Sequence, residues 1–436
     1  MNATGIKRGS LIGIAGVSAM VMLAGCGNPA PSAEEAEDGP ITLNVSLWGD
    51  ASRADLYQTA IDLYEEENPN ITIDLQFADL TPYLERLATS AAAKDLPDVL
   101  WMRDTHVGRY AAGGALLDLS SYIPDTIDVD NLGGAAVSTG EVDGGVYALP
   151  THYVGQAIVY NVDLFDDNGL DATEIETWDD FADVATELTD PANSFWGTND
   201  ATLDPAQRGF EAWVRQSGQE VFTEDGGIGF DADVATEWYE YWQELRDAGA
   251  IPPADIQTEA NSAGLTNSVL ATNRAAMSVV STNHLTQLQA LTETPLALAS
   301  LPVLDDVSED WWFFPPILIS AGANTEHPQA AADFINFILN DVDAGLLTGV
   351  NQGAPSSAEV RDELAPELDE QQSAFVEQIS REQENPARAF PIRPEGSEAL
   401  TTALLRAGEE IAYGRKTVDE AVATLMDDAE RALPGS

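Results

Sequence analysis

A chain of 436 residues, 44% hydrophobic and 8% aromatic, carries enough apolar surface for two or three domains with buried cores, which excludes a chain disordered throughout. Lys and Arg total 19 against 74 Asp and Glu, a formal net charge of −55 that repels a phosphate backbone, so nucleic acid is excluded as a partner. The same excess of carboxylates keeps copies of the chain apart, which predicts a monomer, and suits a saline medium.

Lys7 and Arg8 precede a short apolar run from Leu11 to Leu23, and Leu23-Ala24-Gly25-Cys26 closes it with the only cysteine of the chain. That run is too short to span a bilayer comfortably. Leu-Ala-Gly-Cys in this setting resembles a bacterial lipoprotein box, which implies that residues 1–26 are a signal segment. Cys26 would then receive diacylglycerol, become the mature N-terminus and tether the protein outside the cytoplasm, with the lipid anchor as its only membrane contact. A single cysteine permits no internal disulfide. Residues 27–40, polar and aperiodic, read as a flexible tether.

Ile41 to Trp48 alternates apolar and polar residues and predicts a strand; Ser52 to Glu67 has helical spacing, stopped by Asn68-Pro69-Asn70; Ile71 to Phe77 alternates again. Strand, helix, strand with short links predicts a parallel, right-handed crossover. A second helix from Pro82 to Ala93 leads to a third strand, Asp98 to Met102, so the fold class is α/β.

Further on come Gly145-Val146-Tyr147-Ala148-Leu149-Pro150, Tyr160-Asn161-Val162-Asp163-Leu164-Phe165, Gly169-Leu170 and Thr177-Trp178-Asp179-Asp180-Phe181. Gly169 can close a helix in the left-handed region, and Thr177 can cap the next helix with Asp180. In this order, with Leu96-Pro97-Asp98-Val99, Asn273-Arg274-Ala275-Ala276-Met277, His327-Pro328-Gln329-Ala330, Gly353-Ala354-Pro355-Ser356 and Gly414-Arg415-Lys416-Thr417-Val418-Asp419-Glu420-Ala421, the chain resembles the family 1 extracellular solute-binding proteins of bacterial ABC importers over residues 41–433. The resemblance implies a two-lobe, periplasmic-binding-protein-like fold (type II) with discontinuous lobes joined by a hinge. Lobe 1 is expected to comprise 41–152 plus 303–347 and lobe 2 residues 153–302 plus 348–433, with crossings near His152, Pro302 and Thr348. It also implies a carbohydrate ligand, an oligosaccharide, held in the interlobe cleft and passed to ABC permease subunits.

Ligand-facing groups in open α/β sheets sit beyond the carboxyl ends of strands, and sugars take stacking on aromatic rings and paired hydrogen bonds from planar polar groups. The expected ligand-binding residues are therefore Trp48, Asp50 and Arg53 after the first strand, Asp104 and His106 after the third, and His152 and Tyr153 at a lobe crossing. Asn283 and His284 follow Ala276 to Val280, where the family commonly carries a sugar-contacting aromatic that this chain lacks. Trp312 is expected in the cleft at even odds with Trp311, and Arg208 lies with Trp196 and Trp213 in the variable part of lobe 2. For Trp48 and Asp50 a core ring and a helix cap are equally good readings. Trp178, Trp238 and Trp242 read as packing.

No H-E-x-x-H, G-x-S-x-G or Walker loop is present, so no enzyme is expected, no catalytic residue is assigned, and neither a metal nor a cofactor is expected. Asp128 and Asp130 resemble a fragment of a calcium loop, but Leu132 stands where an oxygen ligand belongs, so they read as a solvated turn. A binding protein for a polyol phosphate, a secreted carbohydrate-active enzyme and an adhesive lipoprotein are the alternatives.

Overall fold

The computed structural model describes residues 39–49, 51–133, 137–204, 208–223, 225–304, 313–350, 352–384, 393–394 and 396–433. The expectations for Cys26, most of the tether, Asp50, Trp311 and Trp312 lie outside the described residues.

The alternating N-terminal segment forms strand β1 (Ile41–Trp48), whose inward residues Leu43, Val45 and Leu47 are wholly buried. Helix α1 (Ala51–Glu67) buries Ala54, Tyr57, Ala60, Ile61 and Tyr64, one face at helical spacing, and carries the chain to β2 (Ile71–Ala78). The two strands pair in parallel from Ile41–Ile71 to Trp48–Ala78, as a βαβ crossover requires. Helix α2 (Leu80–Ala93) starts two residues earlier than its proline suggests, and β3 (Val99–Arg103) runs one residue further than its apolar run. That extra residue matters, because it makes Asp104 the first residue of helix α3 (Asp104–Ala112).

After the two-stranded ribbon β4 (Glu141–Val142) and β5 (Gly145–Val146) comes β6 (Leu149–Asn161), the long strand on which the architecture turns. Its first half pairs antiparallel with β9 (Phe313–Ala321), itself beside β3, and its second half pairs with β7 (Met277–Ser281) and β8 (Leu296–Ser300). Strand β10 (Ala354–Pro355) pairs with His152 and Tyr153 of β6. The register of β6 against β9 shifts on both sides of His152, so the strand is irregular where it changes partners.

Side chains pack into two large clusters. One unites β1 to β3, α1 to α3, Leu149, residues 317–321 and the helix Pro328–Asn340; the other runs from Tyr153 to Leu301 and resumes at Ala354 and residues 375–433. Trp178, Trp213, Trp238 and Trp242 interlock in the second cluster in edge or tilted contacts 5.5–6.3 Å apart, the packing role expected of Trp178, Trp238 and Trp242, and Trp213 joins them there. Local rules hold as well. Gly169 ends its helix at φ 68°, Thr177 and Asp180 form a capping box, and Asp128 accepts the Asp130 amide in an exposed turn.

Candidate functional site

Two groups of polar side chains converge where the clusters face each other, both at the carboxyl ends of β1 and β3. The first is built on Arg53, one turn into α1. Its Nη1 reaches back to the Trp48 carbonyl at 3.4 Å. Gly49 permits this fold-back, since a Cβ there would stand 2.5 Å from Arg53 Cδ. Gln352 approaches from the loop before β10. The amide orientation that satisfies both neighbours has Gln352 Oε1 accepting from Arg53 Nε and Nη1 at 3.3 and 3.1 Å, and Nε2 donating to the Tyr57 hydroxyl at 3.0 Å. His152 completes the group. It is 5% exposed, no described residue partners its Nδ1, and burial with the nearby Arg53 charge pushes its pKa down to about 3, so it is a neutral imidazole.

The second group is ionic and buried. Arg208 Nη2 donates to both carboxylate oxygens of Asp104, at 3.1 and 2.9 Å, and Arg393 Nε donates to Asp104 Oδ2 at 3.1 Å. Arg393 Nη2 also bonds Glu211 and its guanidinium lies over the Phe222 ring at 5.7 Å. None of the four charged residues is more than 8% exposed. Burial alone would raise the Asp104 pKa, but Arg208, Arg393 and Arg103 outweigh it and hold the carboxyl below its ordinary value. The N-terminus of α3 adds a favourable dipole. Arg208 caps the helix Gly209–Gln216 at φ 62°, a left-handed conformation that costs a non-glycine residue about 1–2 kcal/mol and that the buried pair sustains.

The other expected ligand residues sit as follows. Trp48 is 9% exposed, belongs to the first core cluster and packs on Tyr83 at 5.7 Å, so most of its ring serves the core. Tyr153 is fully buried in the second core cluster and its hydroxyl donates to the Leu132 carbonyl, so its ring serves the core. His106 is half-buried beside Thr105, whose hydroxyl meets Nδ1 at 2.8 Å. Asn283 caps the helix His284–Gln289, which His284 opens. His284 lines a separate cavity of about 330 Å³ with Asn199, Ser278, Val280 and Leu288, and burial lowers its pKa to about 4. Sequence reasoning missed Tyr57, Glu211, Gln352 and Arg393. Gln352 adjoins the Gly353-Ala354-Pro355-Ser356 motif and Arg393 stands in Pro391-Ile392-Arg393-Pro394, the only local signals either gives.

Among the described residues, none of the groups of three or more His, Cys, Asp and Glu is placed to hold a metal, and no helix is long and apolar enough to cross a membrane. Two α/β clusters linked through one irregular strand, with polar groups meeting between them, define a two-lobe binding protein of the periplasmic type. The profile of the bacterial extracellular solute-binding proteins matches residues 50–344, and the chain belongs to that family. It is 25% identical over 374 residues to the diacetylchitobiose binding protein DasA of Streptomyces coelicolor, covering 81% of this chain and 82% of that one. It is 26% identical over 198 residues to an arabinooligosaccharide-binding protein of Halalkalibacterium halodurans, covering 44% of this chain and 43% of that protein, less than half the relative's length. A solved family 1 solute-binding protein of Alicyclobacillus acidocaldarius superposes with a TM-score of 0.75 at 25% identity, covering 91% of this chain and 99% of that one.

Proposed function

We propose that the protein is a membrane-tethered receptor that captures a carbohydrate of oligosaccharide size outside the cytoplasmic membrane and delivers it to an ABC permease. The observation that carries the reading is a pair of polar groups, Arg53 with Gln352 beyond β1 and Asp104 with Arg208 and Arg393 beyond β3, each joining residues from the sides of the two core clusters through planar groups of the kind that pair with sugar hydroxyls. The names of two relatives, binders of diacetylchitobiose and of arabinooligosaccharides, favour a saccharide over other solutes.

In this reading the lobes are 41–152 with 303–347 and 153–302 with 348–433, hinged near His152, Pro302 and Thr348, and Cys26 carries the lipid. The ligand undergoes no chemistry. Its higher affinity for the closed form shifts the lobes toward closure, and the permease reads that state. Titration calorimetry against a panel of neutral and acidic oligosaccharides, amino acids and peptides tests the proposal. Micromolar or tighter binding of a saccharide is expected; binding of an amino acid or peptide with none of the sugars would overturn it.

A further inference from the structure

The cavity beside His284 belongs to neither polar group between the clusters. Its volume is about 330 Å³, within the range of roughly 300–1,000 Å³ that small-molecule sites occupy. All of its lining residues fall between 199 and 288, inside the second lobe of the division proposed above. Leu265, Leu270, Val280 and Leu288 pack in one apolar cluster and give the cavity an aliphatic wall. Its amides are held in fixed orientations. Gln257 Oε1 accepts the Asp200 amide at 3.1 Å and Nε2 donates to Asn261 Oδ1 at 2.8 Å, while Asn261 Nδ2 donates to the Leu203 carbonyl at 2.8 Å. Each of these amide nitrogens keeps a second hydrogen beyond those bonds. His284 adds a group of a different kind: its Nδ1 is buried with no partner among the described residues, and burial lowers its pKa to about 4, so at neutral pH it is an uncharged imidazole able to pair with a hydroxyl. A buried polar atom left unpaired is costly until something completes it. Asn261 is exposed and Leu265 half-buried, which places the mouth of the cavity at the surface. The described lining holds one carboxylate, Asp204, and no Lys or Arg.

We infer that this cavity is a saccharide pocket of the second lobe that takes one uncharged pyranose unit, its C–H face on the aliphatic wall and its hydroxyls on Gln257, Asn261 and His284. The inference rests on the carbohydrate-receptor reading and adds to it a place and a charge class. A wall of aliphatic side chains beside fixed amide donors suits a ring that is apolar on its faces and polar around its rim. A uronate or phosphorylated ring brings an anion near Asp204, with no guanidinium or ammonium in the described lining to receive it.

The test is calorimetry at pH 7 on the full chain with a panel of neutral oligosaccharides, each beside the counterpart whose terminal sugar is oxidised to a uronate. At least one neutral saccharide is expected to bind about tenfold or more tightly than its acid. His284→Leu, which removes the unpaired ring nitrogen, should weaken that saccharide about tenfold or more while the apo melting temperature holds or rises, and His284→Gln, which keeps a hydrogen-bonding group, should recover most of the affinity. A purely structural histidine would give the reverse, a lower melting temperature with affinity unchanged. Wild-type affinity in His284→Leu overturns the pocket while leaving the carbohydrate reading intact, and acids that bind as well as their neutral counterparts overturn the charge class on which it stands. Should no sugar of either kind bind, both readings fall. If His284→Leu does not fold, hydrogen exchange on the wild type decides: bound saccharide should slow exchange in residues 254–270 and 277–289, and binding without protection there overturns the pocket.

Discussion

Asp104 and Arg208, 104 residues apart in sequence, meet in a two-pronged ion pair at 3.1 and 2.9 Å, with side chains 5% and 7% exposed, and so tie the start of α3 to the start of the helix Gly209–Gln216. A buried pair of this kind adds little net stability over a well-packed apolar pair, but losing one partner strands a charge. Asp104→Ala, which leaves Arg208 and Arg393 short of their shared acceptor, is expected to destabilise the fold by about 3–5 kcal/mol. Urea unfolding followed by tryptophan fluorescence measures it; a loss under about 1 kcal/mol would show that the pair is solvated in solution.

The same carboxyl sets an acid limit. Its folded pKa lies below its unfolded one, so its contribution is complete above the ordinary carboxylate value and is lost as pH falls through the depressed folded value. Stability measured between pH 5 and pH 2 should therefore fall less steeply in Asp104→Asn than in the wild type.

His152 acts over a higher range. Folding holds it neutral down to about pH 3, whereas the unfolded chain takes up a proton near pH 6.5, so stability falls as pH drops from about 6.5 toward 3, by up to roughly 1.4 kcal/mol per unit. Lower pH also relieves repulsion in this acidic chain, an opposing trend shared by every variant. The difference between wild type and His152→Gln isolates the histidine: the gap in unfolding free energy should shift in favour of the glutamine variant as pH falls from 7 to 5. A gap independent of pH would show that His152 titrates normally.

Gly49→Ala tests the fold-back of Arg53. The added Cβ would lie 2.5 Å from Arg53 Cδ and push the guanidinium off Gln352. Saccharide affinity of Gly49→Ala should drop about as far as that of Arg53→Ala, on the order of tenfold for one lost charged hydrogen-bonding group. If Arg53→Ala binds as the wild type does, the Arg53 group lies outside the ligand site.

Trp48 and Trp238 should behave alike in stability. Both are core rings, 9% and 1% exposed, and alanine at either is expected to cost about 3–5 kcal/mol, with the smaller loss at Trp48. A Trp48→Ala protein that melts normally but loses sugar binding would return that ring to the cleft.

The anchor has its own test. Cys26→Ser should leave unprocessed precursor or released protein with unchanged ligand affinity, and a membrane-bound mature form without added mass at residue 26 would overturn the lipid assignment.

Much of this was legible in the sequence because it follows from local chemistry. Period-two alternation in Ile41–Trp48, the helical stripe of α1 and the stop at Asn68-Pro69-Asn70 dictate the first βαβ unit, and Thr177 with Asp180 and the left-handed Gly169 dictate where helices begin and end. The spacing of Trp238 and Trp242 placed them in the core. Strand ends directed attention to Arg53, Asp104 and His152, but no local pattern tells whether a residue there meets ligand or another residue. Tyr153 shows the limit: it neighbours His152, yet strand alternation turns its ring into the second core and its hydroxyl to Leu132. The pairing of Asp104 with Arg208 and Arg393, and of Arg53 with Gln352, joins residues separated by 104 positions or more. Only the packing of two clusters across β6 brings them within hydrogen-bond reach, because a charge can stay buried only where the fold supplies its partner.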